Sequence, residues 1–201
     1  MESLAVAEAQ PNLFKQLAYS CGIETYVSLK DDIRPNDNSN GGFQKRFAGF
    51  YGISRTKTAE WKSNYFSVFG RMLEKRKNNE EVTFEEILKC FSREEHIKAK
   101  CEASFASKML ATLNPEKPII DRHVRDFFNF SITGETVEER VRVAIETYKG
   151  LEKWYADYLG TEAAKECIVL FDSHFPDYAG KITAVKKIDF LLLWRGRHKN
   201  R

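Results

Sequence analysis

The most informative stretch of this chain is Pro118-Ile119-Ile120-Asp121-Arg122-His123-Val124. A helix-like run of residues ends before it at Leu113-Asn114-Pro115, and a second run, from Arg122 to Phe128, begins directly after Asp121. An Asp in this position predicts an N-cap, because its side chain accepts hydrogen bonds from the unpaired N–H groups of the first helical turn. The same position can hold a carboxylate at the mouth of a cleft. These two roles of Asp121 correspond to two different classes of function.

Apolar residues at helical spacing dominate the rest of the chain. Thr83 and Thr136 each begin a Thr-x-x-Glu capping box, and the segment 31–42 is rich in Asn, Gly and Asp, which predicts a loop. No segment alternates polar and apolar residues between hairpin turns as a strand does. The sequence therefore predicts an all-α protein, with helices over 5–20, 43–52, 57–77, 83–92, 94–113, 122–130, 136–159, 161–175 and 183–195.

The composition is typical of a globular protein, with 42% hydrophobic and 30% charged residues. No apolar run approaches the roughly 20 residues of a membrane-spanning helix, and the N-terminus lacks the pattern of a signal peptide. The four cysteines are scattered, without the spacing of a zinc or iron–sulfur site. We expect a cytoplasmic monomer with free thiols, no bound metal and no membrane contact.

The sequence lacks the common catalytic motifs. It contains no GxSxG elbow, no GxxxxGK[ST] loop and no GxGxxG loop, so the motifs of α/β-hydrolase, phosphoryl-transfer and dinucleotide chemistry are all missing. Its C-terminal end is basic: between residues 181 and 201, seven Lys and Arg residues accompany one acidic residue, Asp189. This end can meet phosphates, although a solvated, frayed tail is the competing interpretation of residues 195–201.

The segment 103–124 combines a small-residue-rich helix, a short proline-containing loop, two aliphatic residues and then Asp-x-His-Val. It resembles the active-site segment of the helix-hairpin-helix DNA glycosylase superfamily, in which an Asp-Thr-His-Val type sequence follows such a helix and loop. Arg122 stands here in place of the small polar residue. Other parts of the chain, including 49–52, 107–109 and 186–194, resemble a group of small uncharacterised bacterial proteins, which assigns no activity.

The resemblance implies an all-α, two-lobed helical bundle with a cleft between the lobes. The 201 residues would form one compact domain, in which 43–121 make the central lobe and 1–42 pack with 122–201 as the second lobe. Its partner would be double-stranded DNA, and it would need no cofactor.

The resemblance also implies roles for individual residues. Asp121 would be the catalytic carboxylate, which stabilises the positive charge that develops on the sugar as an extruded base departs. His123 would support it by orienting the local backbone. The residues that would contact DNA are Lys98, Lys100, Arg122, Arg125, Lys186 and Lys187.

Two departures from the family pattern change the expected chemistry. The segment 91–102 contains no glycine, so a phosphate-binding hairpin there would need another turn geometry. The position of the family's nucleophilic lysine falls on Ala103, with Lys100 too early and Lys108 too late. We therefore expect a monofunctional DNA N-glycosylase, acting on a repair lesion or a modified phage base, without Schiff-base lyase activity.

Two alternatives remain open from the sequence. The first is a non-catalytic helical module for nucleic-acid binding or regulation, in which Asp121 is only an N-cap; the missing glycine hairpin favours it. The second is a protein–protein interaction scaffold with no role on DNA.

Overall fold

The computed structural model describes residues 22–53, 57–98 and 100–198, with side chains described as far as Leu193. Over these ranges the chain forms α-helices and one short 3-10 helix, Pro176–Tyr178, and no strand, so the prediction of an all-α protein is confirmed. The α-helices are α1 (Ile23–Asp31), α2 (Phe43–Phe50), α3 (Ala59–Lys77), α4 (Phe84–Phe91), α5 (Ala103–Leu113), α6 (Arg122–Phe128), α7 (Val137–Leu159), α8 (Glu162–His174) and α9 (Ala184–His198).

Most predicted helices match the observed ones to within a few residues, because strong caps mark their first turns. The capping box at Thr136 is present: Thr136 Oγ1 accepts from the Glu139 N–H at 3.1 Å, and the Glu139 carboxylate accepts from the Thr136 N–H at 3.3 Å. Thr83 Oγ1 likewise accepts from the Glu86 N–H at 3.2 Å. The predicted helix 5–20 lies outside the described residues.

Two parts of the helix prediction are wrong. The sequence does not predict α1, which follows Gly22 in the left-handed region at φ 62°. The predicted helix 94–113 begins only at Ala103, since the chain before it forms successive turns, with i to i+3 bonds such as Glu94 N–H to Phe91 O at 3.2 Å and Ile97 N–H to Glu94 O at 3.0 Å. None of the described residues between 92 and 102 has a positive φ, so these turns need no glycine.

The core is strongly aromatic. The Phe47 ring is 0% exposed and lies within 4.7–5.9 Å, between ring centroids, of five aromatic neighbours: Phe43, Tyr51, Tyr65, Phe66 and Phe69. Helix α5 packs against α1, α3 and α4, whereas α9 packs against α6, α7 and α8. These two buried helices lie on either side of the loop that leads into Asp121.

Three hydrogen bonds hold the loop before Asp121 against different helices. The Ser107 hydroxyl of α5 accepts from the Ile120 N–H at 2.8 Å, and the Tyr148 hydroxyl of α7 donates to Pro118 O at 2.9 Å. The Thr183 hydroxyl, directly before α9, donates to Pro115 O at 2.7 Å. The position of Asp121 is therefore determined by the preceding helix α5 and by residues of α7 and of the start of α9, which are distant in sequence.

None of the helices in the described part of the chain combines the length and the apolarity needed to cross a membrane.

Candidate functional site

Asp121 is both an N-cap and a residue of a cavity wall. Its Oδ1 accepts a hydrogen bond from the Val124 N–H at 2.8 Å, as the sequence predicts for a cap. Oδ2 has no hydrogen-bonding partner among the described residues. The side chain is half-buried and borders a cavity of about 760 Å3, which we call the Asp121 cavity. Capping therefore occupies one carboxylate oxygen and leaves the other available.

Charged and aromatic side chains from distant parts of the sequence line the Asp121 cavity. Its lining includes the aromatic residues Phe50, Tyr51 and Phe190, the carboxylates Asp121 and Asp189, the imidazole of His123, and the cations Lys45, Arg46, Lys108, Arg122 and Lys186. The five cations outnumber the two carboxylates. The cavity therefore suits a ligand that has both an aromatic ring and negative charge.

Lys108 extends from α5 into the same cavity. Its ammonium donates to Tyr51 O at 3.4 Å and lies 5.1 Å from the centroid of the Phe105 ring. Burial lowers the pKa of Lys108, and Lys186 lowers it further, while Asp121 acts in the opposite direction. Within the described ranges, Lys108 makes no ion-pair contact with a carboxylate. The structure thus contains an amine beside Asp121 that spacing along the sequence did not predict.

The hydrogen bond between Ser107 and Ile120 explains this proximity. It holds residue 107 beside residue 120, and the next residue on each segment, Lys108 and Asp121, lines the cavity. A signal for this pairing is present in the sequence, since Ser107 is a polar residue on an otherwise apolar helix face. Its partner is a backbone N–H, which no sequence pattern identifies.

A buried ion pair forms one part of the cavity wall. Lys186 Nζ lies 3.4 Å from Asp189 Oδ2, and their side chains are only 3% and 1% exposed. The Tyr155 hydroxyl donates to Asp189 Oδ1 at 2.5 Å. The Tyr26 ring lies 5.1 Å from Lys186 Nζ, and its buried hydroxyl has no hydrogen-bonding partner in the described structure.

Burial and the ion pair act in opposite directions on the pKa values of Asp189 and Lys186. Burial raises the pKa of Asp189 from 3.8 to about 6, although Lys186 and the Tyr155 hydroxyl favour the charged carboxylate. Burial also acts to lower the pKa of Lys186, but Asp189 and the hydroxyls of Tyr51 and Tyr26 outweigh it, so the pKa of Lys186 is raised.

The raised pKa of Asp189 predicts a pH-dependent stability. Between pH 3.8 and about 6, the folded protein holds the proton on Asp189 more tightly than the unfolded chain does. The contribution of this group is therefore fully present below pH 3.8 and is lost as the pH rises through about 6. Urea unfolding of the wild type and of Asp189→Asn should show the wild type losing stability relative to the variant across this window. A difference in stability between the two proteins that stays constant across this pH range would contradict the raised pKa of Asp189.

The remaining predicted site residues are distributed unevenly. Arg122 is exposed and lines the cavity, and His123 lines it with a buried Nδ1 that has no partner among the described residues. Exposed positions on the surface, outside the cavity lining, hold Lys98, Lys100 and Arg125.

The two lysines predicted from the basic C-terminal end are buried. Lys187 is 5% exposed, and its ammonium pairs with the Asp172 carboxylate at 2.6 Å and donates to Ala179 O at 3.1 Å. We therefore no longer place Lys187 among the DNA contacts, because its charge is already paired inside the protein. Lys186 lines the Asp121 cavity and is not on the outer surface, where a DNA backbone would lie.

No group of three His, Cys, Asp or Glu side chains that could hold a metal ion occurs in the part of the chain that the structure describes.

Comparison with known proteins adds no assignment: no family model, no curated protein and no solved structure matches this chain. The likeness to DNA glycosylases therefore rests on the segment 103–124 alone. Functional inference depends on the chemistry of the cavity.

Proposed function

We propose that this protein is a monofunctional DNA N-glycosylase. It hydrolyses the N-glycosidic bond of a base extruded from double-stranded DNA, either a repair lesion or a modified phage base, and leaves an abasic site. The observation that carries the proposal is the carboxylate of Asp121, with one oxygen unpartnered among the described residues, in the wall of a cation-lined cavity of about 760 Å3. Cavities of roughly 300–1,000 Å3 accommodate small organic ligands, so a nucleobase fits this size.

Asp121 supplies the electrostatic part of the reaction. Cleavage of the bond places positive charge on the deoxyribose, and a carboxylate held close to the sugar lowers the energy of that transition state. The hydrogen bond from the Val124 N–H to Oδ1 holds the carboxylate before the substrate binds. A water molecule that Oδ2 positions attacks C1′ of the sugar as the bond from C1′ to the base nitrogen breaks. The electron pair of that bond leaves with the base, Oδ2 accepts a proton from the attacking water, and the base takes up a proton from solvent.

The cations at the cavity would hold the DNA backbone. Arg122 and Lys45 are exposed and line the cavity, so both can reach phosphates that flank an extruded nucleotide. Arg46 is less available, because its guanidinium donates to the Ser28 hydroxyl at 2.7 Å. Exposed Lys98, Lys100 and Arg125 remain candidates for contacts farther along the duplex.

A hydrolytic mechanism needs no covalent bond between Lys108 and the sugar. In this proposal its ammonium is a fixed positive charge that attracts Asp121 and the DNA. We expect sodium borohydride to trap no covalent complex between the protein and a substrate duplex. If a complex is trapped in the wild type and is absent in Lys108→Met, the nucleophile is Lys108 and not water, since only an amine forms a reducible Schiff base with the sugar.

The non-catalytic alternative is favoured by one observation, the cap hydrogen bond between Asp121 Oδ1 and the Val124 N–H at 2.8 Å. In that case the chain would be a helical nucleic-acid-binding or regulatory module, and the carboxylate would serve only α6.

An abasic-site assay separates the two functions. Duplexes that each contain one damaged or modified base are incubated with the full chain and then treated with alkali, which cleaves the strand at abasic sites. The proposal expects cleavage of at least one duplex that depends on Asp121. Salt-dependent DNA binding without cleavage of any duplex would favour the non-catalytic module. The absence of DNA binding even at low ionic strength would favour an interaction scaffold.

A further inference from the structure

One cation in the wall of the Asp121 cavity, Lys186, has more hydrogen-bond donors than acceptors among the described residues. An ammonium has three donors, and Lys186 Nζ has one acceptor among the described residues, Asp189 Oδ2, at a long distance of 3.4 Å. Its other close neighbours are the faces of Tyr26 and Phe190, with ring centroids at 5.1 and 5.3 Å. The Tyr26 hydroxyl, which can donate or accept, is buried and has no partner in the described structure, although Tyr26 does not line the cavity.

The carboxylate that accompanies Lys186 pairs with only one of its three donors. Asp189 Oδ1 already accepts from the Tyr155 hydroxyl at 2.5 Å, and Oδ2 accepts from Lys186 itself. Buried donors without acceptors carry a free-energy cost, which a ligand that brings an acceptor removes. Lys186 lines the cavity although its side chain is only 3% exposed, so a ligand in the cavity lies close to this residue.

We propose that Lys186 is a specificity-determining residue, whose ammonium donates a hydrogen bond to an exocyclic oxygen on the buried edge of the ligand. The substrate class is therefore the oxo-bases, such as bases of the hypoxanthine and uracil type. An amino group in the same place would direct its N–H donors at the ammonium, which repels the ligand. A base that carries a positive charge through alkylation is disfavoured in the same way, because Lys108 and Lys186 both line the cavity.

Asp189 and Tyr155 hold Lys186 in place for this role. Asp189 lies one helical turn after Lys186 on α9, and the Tyr155 hydroxyl of α7 fixes its carboxylate. A buried lysine with one fixed anion keeps its charge and its position, so binding requires little reorganisation. The inference rests on the proposed function only in taking the ligand to be a nucleobase.

Matched pairs of free bases test the proposal directly. Hypoxanthine and adenine differ in the oxo or amino group at one ring position, as do uracil and cytosine. Calorimetric titration of the full wild-type chain with each base should show tighter binding of the oxo member by roughly tenfold or more, as expected for a hydrogen bond to a charged donor.

The variant that removes the ammonium is Lys186→Met combined with Asp189→Asn, which leaves no unpaired buried charge. In this variant, the ratio of the affinity for the oxo base to the affinity for the amino base should fall towards one. The matched control is Lys187→Met combined with Asp172→Asn, which removes a neighbouring lysine that is equally buried but lies outside the cavity lining. The control should keep the wild-type ratio.

Two results would overturn the proposal: a wild-type protein that shows no preference, including one that binds none of the four bases, or a preference that the Lys186 variant retains. Excision assays on duplexes with one deoxyinosine or one deoxyuridine separate this inference from the glycosylase itself. Discrimination without excision would reject the glycosylase and keep the assignment of Lys186. Excision without discrimination would reject the assignment of Lys186 and keep the glycosylase.

Discussion

Replacement of Asp121 by Asn should lower the rate of base excision by about 10²–10³-fold, the effect seen when one preorganised electrostatic group is removed from a transition state. The same change should leave the melting temperature almost unaltered. Asn caps a helix nearly as well as Asp, so the hydrogen bond from the Val124 N–H is retained and only the charge is lost. Single-turnover excision kinetics and thermal melting of the same preparations measure both effects.

Two further variants make this comparison specific. Asp121→Ala removes the cap as well and should cost an additional ~1 kcal/mol of unfolding free energy. Asp126→Asn removes an exposed carboxylate from the same helix outside the cavity lining, and it should change neither quantity. Unchanged excision in Asp121→Asn would show that the carboxylate is only a cap and would favour the non-catalytic module.

Replacement of Lys186 by Met should lower the free energy of unfolding by about 3–5 kcal/mol, because Asp189 then remains buried without its cation. The loss should be smaller at pH 5 than at pH 8, since burial raises the pKa of Asp189, removal of Lys186 raises it further, and protonation removes the unpaired charge. Addition of Asp189→Asn should restore most of the lost stability. Urea denaturation of the single and double variants at both pH values measures these differences.

Lys187→Met is the matched control for this stability effect. Its partner Asp172 has a side chain that is 30% exposed, so water can solvate the carboxylate after the lysine is removed. The loss should therefore be clearly smaller than for Lys186→Met. Equal losses for the two lysines, or no recovery on adding Asp189→Asn, would contradict the description of Lys186 and Asp189 as a coupled buried pair.

The sequence was most reliable where local interactions decide the structure. The cap residues Thr83, Thr136 and Asp121 all accept the predicted hydrogen bonds from their own first helical turns. It was least reliable between residues 92 and 102, where helix-forming residues instead make successive turns around buried Ile97. Helical propensity is a weak preference, and burial of a single apolar side chain can outweigh it.

For the candidate site as well, the sequence predicted the local motif but not the residues that the fold brings to it. The sequence identified Asp121 and its neighbours Arg122 and His123, because they belong to one local motif, and all three line the cavity. It did not indicate that Lys108 would share the cavity, and it assigned Lys186 and Lys187 to DNA contacts. Charge alone does not reveal burial, because a lysine can be buried when a carboxylate pairs with it, as Asp189 does with Lys186 and Asp172 with Lys187.

The sequence by itself determined the helical class, the cap that begins α6 and the carboxylate at that cap. All of these depend on spacing within one or two helical turns. The tertiary structure alone decided which charges surround that carboxylate, because the packing of α9 against α6 joins segments far apart in the chain, and the hydrogen bond from the Ile120 N–H to Ser107 joins two segments across a loop. Such contacts form only when the core is packed, and although Ser107 is a polar residue on an apolar helix face, no sequence pattern identifies its backbone partner.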